Sequence, residues 1–416
     1  MLTPLTPGPR VVLAEVPPVA QWLGSWSGGV LTPGPRVVLA EVPPVAQWLG
    51  SWSGGGPALS LRLHRRRGIT GVLLPVNVVE SLLCLMSSAS HKHVLLRALA
   101  PHRLRALVRT HSEVRPVTRP RFVKAGEVIM GTRRCSERRF FLRPSSVTDQ
   151  LFLYCLARAA RLSGVLLHEF QVLSNHYHVV FTDVRGQRPL FFRELNQFVA
   201  RGVNASLGRW ESFFAPGSYN AVALVDGDAI ERECLYVHCN VVEAGLVKLP
   251  EYWDGVCSWK MEYGQPRTIR RPAGFFRDSS DKTLEEEALT LARPEALYPE
   301  LDDAEARAQL RDKARERSHA IAEKLRDNGG AFMGMRRVRR QPPDSSPNTR
   351  APRRGIRPTV AGKNKWARIE ALLRNEAFLE AHHDARLRFE AGERRVVFPL
   401  GTYLMVQRFG VAVAKS

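Results

Sequence analysis

The stretch Ser174-Asn175-His176-Tyr177-His178-Val179-Val180-Phe181 constrains the fold more than any other part of the chain. A turn-forming pair, Ser174-Asn175, runs straight into residues that favour extended structure, so the chain reverses and returns as a strand. Successive side chains of a strand point to opposite faces. His176 and His178 therefore share one face, about 7 Å apart along the strand. Two imidazoles placed so can share a metal ion or an anionic oxygen. The rest of the chain is read by what would complete that pair.

The elements around this strand follow from hydrophobic period. Val123 to Cys135 reads as a strand with Arg133 and Arg134 at its end. Ser145 to Thr148 reads as a helix start. Gln150 to Leu162 then puts Leu151, Tyr154, Cys155, Ala159 and Leu162 on one helical stripe, which Gly164 ends. Val165 to Leu173 and His176 to Thr182 are the two strands either side of the turn. Phe191 to Leu207 is helical, with Leu195, Phe198, Val199 and Val203 inward. Tyr219 to Val225 is a fourth strand, and Asp228 caps a last helix through Ala244, closed by Gly245. The order strand, helix, two strands, helix, strand, helix predicts an α+β domain at 119–264. It is the split βαβ arrangement of ferredoxin-like folds, an antiparallel sheet with helices on one face.

Outside this block the pattern loosens. Leu5–Gly29 recurs as Leu31–Gly55, identical at all 25 positions with a period of 26. Two identical Pro- and Gly-rich copies do not make a solenoid, whose repeats diverge and need about three copies to support one another. Residues 1–118 are therefore expected to be a poorly ordered extension from a duplicated segment, with a helix near His91–Thr110 and Met86 as a later start. Residues 265–416 read as a mainly helical, basic accessory region. It has a charged helix at Asp302–Arg326 and a flexible Pro- and Arg-rich linker at 330–364. A helix over Trp366–Ala391 follows, with Trp366, Ile369, Leu373 and Ala377 on one stripe, and His382 and His383 at the surface.

Charge narrows the partner. Lys and Arg outnumber Asp and Glu by 61 to 40, a formal net charge of +21 over 416 residues, which favours a polyanion such as nucleic acid. Arg133, Arg134, Arg138, Arg139 and Arg201 are candidate backbone contacts. No run reaches the 18 apolar residues of a spanning helix, so no membrane role is expected. The six cysteines form no Cys-x-x-Cys pair and read as reduced, buried thiols of a cytoplasmic protein.

The second chemical feature is the last helix of the block, Leu235-Tyr236-Val237-His238-Cys239-Asn240-Val241-Val242-Glu243. Tyr236 and Asn240 are spaced i, i+4 and share a helix face. A phenol one turn from an amide, opposite two histidines, would put a nucleophile beside a metal. His168 and Glu169 stand nearby on the preceding strand, as supporting or structural groups. His238 falls off the Tyr236 face.

At these residues the chain resembles a known family. SNHYHVVF is similar to the HUH motif of single-strand DNA transposases with one catalytic tyrosine. YVHCNVVEAGLV resembles the YIhxNPVxAGLV helix of the REP-associated tyrosine transposases, with Val241 where the family has proline. RRCSERRFFLRP and VNASLGRWESFFAPGSYNAVAL fit the same family. The resemblance covers residues 119–264. It implies that His176, His178 and Asn240 hold Mg²⁺ or Mn²⁺, and that Tyr236 cleaves and rejoins single-stranded DNA through a 5′-phosphotyrosine. The expected substrate is hairpin-forming repeats, in a bacterial, nucleoid-associated setting, and the protein a monomer or a homodimer. A DNA- or RNA-binding protein on the same scaffold, with catalysis lost, is the alternative. A histidine-triad hydrolase would need a third histidine where Val180 stands.

Overall fold

The computed structural model describes residues 119–217, 219–274, 284–349 and 358–415, together with three short strands nearer the N-terminus. Met1–Thr118 and Arg119–Ser416 cluster as two units. In the first, β1 (Arg36–Leu39), β2 (Arg62–Arg66) and β3 (Ile69–Pro75) pair as an antiparallel sheet in the order β1-β3-β2. β1 belongs to the second copy of the repeat. The remainder of both copies and the helix expected at His91–Thr110 lie outside the described residues.

The second unit begins β4 (Glu127–Arg134), α1 (Ser146–Ser163), β5 (Leu166–Leu173), β6 (His176–Asp183), α2 (Arg188–Ser206), β7 (Asn220–Leu224), α3 (Gly227–Glu243). It continues β8 (Arg267–Arg270), β9 (Glu286–Leu289), α4 (Asp303–Asp327), α5 (Met335–Arg340), β10 (Val360–Ala361), α6 (Lys365–Glu390), β11 (Val397–Phe398), α7 (Leu404–Phe409) and β12 (Ala412–Val413). The main sheet has the order β10-β7-β4-β6-β5. The pairs β7·β4, β4·β6 and β6·β5 are antiparallel, while β10 joins β7 in parallel, so the fold is α+β with a mixed sheet.

Helix ends follow local chemistry. The Ser145 hydroxyl accepts from the Thr148 amide to start α1, and Gly164 ends it at φ +69°, a conformation open to glycine at little cost. α3 starts on Asp226, whose carboxylate accepts from the Ala229 amide. The expected cap, Asp228, sits instead in the first turn.

Helices cover both faces of the sheet, not one as the pattern predicts. The Tyr177, Val179 and Phe181 face packs with Phe170 and Val172 against α1 and α2. Across the sheet, Met130, Val180, Val222 and Leu224 pack against Ile230, Cys234 and Val237 of α3 and Leu310 of α4. The reason is in β6 itself. Beyond the histidines Val179, Val180 and Phe181 are apolar in succession, so both faces carry apolar side chains to be covered.

Three further readings change. The residues after 264 pack into this unit: β10 extends the sheet, and Ala306, Arg307, Leu310, Ala314 and Ser318 of α4 are buried. Within the stretch read as linker, Met335–Arg340 is helical. In α6 the buried stripe is Ala371, Phe378, His382 and Ala385, while Trp366 and Leu373 are exposed. His382 is thus interior, its ring against Phe378 and Phe398. Among the described residues, no helix is long and apolar enough to cross a membrane.

Candidate active site

β6 and α3 bring the paired histidines and the tyrosine helix together. The two-residue turn at Ser174-Asn175 sets the hairpin register, with Leu173 opposite His176 and Gln171 opposite His178. On the other side β4 places Arg134 opposite His176 and Thr132 opposite His178. All of these side chains share the face that α3 covers.

The His176 and His178 rings stand edge to face, their centroids 4.8 Å apart. Tyr236 meets His178 edge-on at 5.2 Å between ring centroids. The Asn240 amide nitrogen lies 3.4 Å from His178 Nε2. The four residues picked out by the i, i+2 and i, i+4 spacings therefore form one cluster. Val241 is fully buried, and α3 runs unbroken past it to Glu243.

Two neighbours fix the imidazoles. His176 Nδ1 lies 2.6 Å from Asn175 Oδ1, an acceptor, so Nδ1 carries the proton. His178 Nδ1 lies 3.1 Å from Thr132 Oγ1, and its Nε2 faces the Asn240 NH₂. Burial pushes the His176 pKa down to about 4, against a hydrogen bond that the protonated ring donates to Asn240 and with help from the charges of Arg134 and Arg138. Burial, then His176, holds His178 well below the usual histidine range. Both rings are neutral at pH 7, the form that binds a metal.

Tyr236 is half-buried. Burial and the Glu243 carboxylate raise its pKa, against a hydrogen bond with Asn240, so the phenol is protonated at neutral pH. Among the described residues, no group of three or more His, Cys, Asp or Glu is placed to hold a metal ion. The Asn240 amide oxygen is a donor type that suits a hard cation such as Mg²⁺ or Mn²⁺. Two neutral imidazoles oriented by hydrogen bonds on their far nitrogens, with an amide between them and the phenol, fit such an ion.

The candidate arginines separate. Arg134 is exposed on the histidine side, and Arg138 is close enough for its charge to act on His176. Arg133 is opposite Tyr177 and so points through the other face, where it donates to the Gly217 carbonyl at 2.8 Å. Arg201 is exposed on α2, beyond the sheet from the histidines. Arg138 donates to the Thr349 hydroxyl at 2.9 Å, and Arg139 pairs with Glu137 at 2.9 Å.

The nearby acidic and histidine candidates are structural. Glu169 accepts from Tyr263 at 2.7 Å and Ser258 at 2.6 Å, and pairs with Arg307 and with His238 at 2.9 Å. Burial alone would raise its pKa. Arg307 and His238 outweigh burial and hold it well below the carboxylate range. His168 bonds the Ala292 carbonyl through Nδ1 and Thr182 Oγ1 through Nε2, at 2.5 and 2.8 Å. Cys135, Cys155, Cys234, Cys239 and Cys257 are free and buried. Thr132 and Asn175 had no motif of their own. Only the strand register points to Thr132, and Asn175 reads from sequence as a turn residue.

No family model and no curated protein matches this chain. Among solved structures, it is similar to a REP-associated tyrosine transposase bound to a REP hairpin. That likeness has 17% identity and a TM-score of 0.29, over 33% of this chain and 79% of the other.

Proposed function

We propose that this protein cleaves and rejoins single-stranded DNA through a transient 5′-phosphotyrosine on Tyr236, with Mg²⁺ or Mn²⁺ held by His176, His178 and Asn240. The observation that carries this reading is the convergence of Tyr236 and Asn240 of α3 on the two β6 histidines, with Tyr236 and His178 at 5.2 Å between ring centroids. The sheet supports it too. Strands β7-β4-β6-β5 are antiparallel neighbours, and β4, α1, β5 and β6, α2, β7 interleave, the order of a ferredoxin-like split βαβ domain.

In this mechanism the Tyr236 oxygen attacks the scissile phosphorus. The phosphorus–O3′ bond breaks, the phenol loses its proton, and the departing oxygen takes one up to become a free 3′-OH. A second strand's 3′-OH reverses the exchange, so the number of ester bonds is unchanged and no nucleotide is consumed. A divalent ion held by the histidines would supply positive charge to a non-bridging oxygen of the phosphate. His176 and His178 stay neutral, and Asn240 hydrogen-bonds the phenol. Arg134 beside His176 offers charge to the DNA backbone.

The test is a hairpin-bearing single-stranded oligonucleotide incubated with the protein and Mn²⁺, then run on a denaturing gel. Wild type is expected to form a covalent adduct that maps to Tyr236, and Tyr236→Phe to form none while still binding the DNA. Binding without any wild-type adduct would overturn catalysis and leave a DNA-binding protein on the same scaffold.

A further inference from the structure

Gln171 lies on the histidine face and belongs to neither motif. It lies in the middle of β5, directly opposite His178 in the hairpin register. Directly opposed residues of an antiparallel pair have Cβ atoms about 5 Å apart and side chains on the same face. Gln171 is 0% exposed, yet neither its amide oxygen nor its amide nitrogen has a hydrogen-bond partner.

That is an expensive arrangement. A buried amide left unpaired costs roughly 1–3 kcal/mol per group, whereas an apolar residue of the same length would cost nothing here. The neighbours on the same strand face show the contrast. Leu173 packs into an apolar cluster with Val241 and Trp253, and Glu169 is held by Ser258, Tyr263 and Arg307. Between a satisfied apolar residue and a satisfied charge sits one unsatisfied amide beside His178. Its register partner turns Nδ1 toward Thr132 of β4, on the far side from β5, and leaves Nε2 toward Asn240.

We propose that Gln171 is a further oxygen donor of the divalent-cation site, so that β5, β6 and α3 each contribute: Gln171, then His176 and His178, then Asn240. An amide oxygen is the ligand type that Mg²⁺ and Mn²⁺ accept, and it adds no charge to a buried site. A bound ion would give the Gln171 oxygen the partner it otherwise lacks. This rests on the metal site of the proposed function and extends its ligand set.

The experiment measures Mn²⁺ affinity of the full-length protein by calorimetry, without DNA, alongside thermal unfolding of the metal-free protein. The variants are Gln171→Met, Gln171→Glu and His176→Ala. Methionine keeps the length and removes the two unpaired polar atoms, so Gln171→Met is expected to unfold at the same temperature as wild type or higher. Its Mn²⁺ affinity is expected to fall at least tenfold. Gln171→Glu is expected to bind Mn²⁺ at least as tightly as wild type, because it restores an oxygen donor with charge. If Gln171→Met binds Mn²⁺ as well as wild type while His176→Ala does not, the role of Gln171 is overturned and the histidine site stands. If wild type binds no Mn²⁺, or His176→Ala binds it unchanged, both this inference and the metal site fall.

Discussion

His168 shows how a single side chain sets a pH limit on this fold. It is buried, with both ring nitrogens engaged, and burial holds its pKa near 4, against the hydrogen bond to the Ala292 carbonyl. In the unfolded chain its pKa is about 6.5. Above that value both states are neutral and the contribution is complete. As pH falls from 6.5 toward 4 the unfolded chain takes up a proton that the native state refuses, so stability falls. The loss for this one group is on the order of 3 kcal/mol. Urea midpoints at pH 7 and pH 4.5 are expected to differ less in His168→Gln than in wild type. At this scale much of the site is legible in the sequence. His176 with His178 and Tyr236 with Asn240 are local pairs, and strand and helix periods alone say that each shares a face. Gln171 and Thr132 are not legible that way. Their closeness to His178 depends on the register of β5 and β4 with β6, which a motif does not encode. His382 was hidden by its charged neighbours, since helix α6 is charged nearly all round and only its small stripe of Ala371, Phe378 and Ala385 shows the inner face.

Among elements, the contact between α1 and α2 is set by one missing side chain. A Cβ built on Gly202 would lie 2.2 Å from Leu151 Cδ1, so the two helices approach more closely than alanine allows. Gly202→Ala has two opposed effects. Alanine favours the helix by about 1 kcal/mol, and overpacking Leu151 costs about 1–3 kcal/mol. The packing cost is the larger, and the variant is expected to lose up to about 2 kcal/mol in a denaturant titration with an unchanged slope. The strands and helices of 127–243 were legible because their periods are strong and Ser145, Gly164 and Gly245 mark their ends. The sequence places the cap of α3 two residues late, because Asp226 and Asp228 both suit the position. Only the extended φ and ψ of Asp226 separate them. The placement of α3 across the sheet was missed, because a split βαβ pattern accounts for α1 and α2 and leaves a third helix unassigned.

At the scale of the whole molecule, the decisive contact joins residues 138 positions apart, Glu169 of β5 and Arg307 of α4. Both side chains are 0% exposed. Arg307 also donates to the Met261 carbonyl at 2.9 Å and to the Ser258 carbonyl at 2.5 Å. No local pattern announces such a pair, which is why the region after 264 reads from sequence as an attachment. Removing one partner of a buried ion pair costs about 3–5 kcal/mol, whereas replacing both with apolar groups is often neutral. Arg307→Met is therefore expected to lose about that much by equilibrium unfolding, and Glu169→Met with Arg307→Met to recover most of it. A chain stopped at 264 lacks both Arg307 and β10, and is expected to fold less stably than the full unit, as measured by protease resistance. The pair also sets an order in time. While the protein is being synthesised, Glu169 and the tyrosine helix emerge well before Arg307. Until that guanidinium arrives, Glu169 lacks its cationic partner on α4. A half-made chain therefore holds Tyr236 but not Arg307, and the contact from β5 to α4 forms only once most of the protein exists.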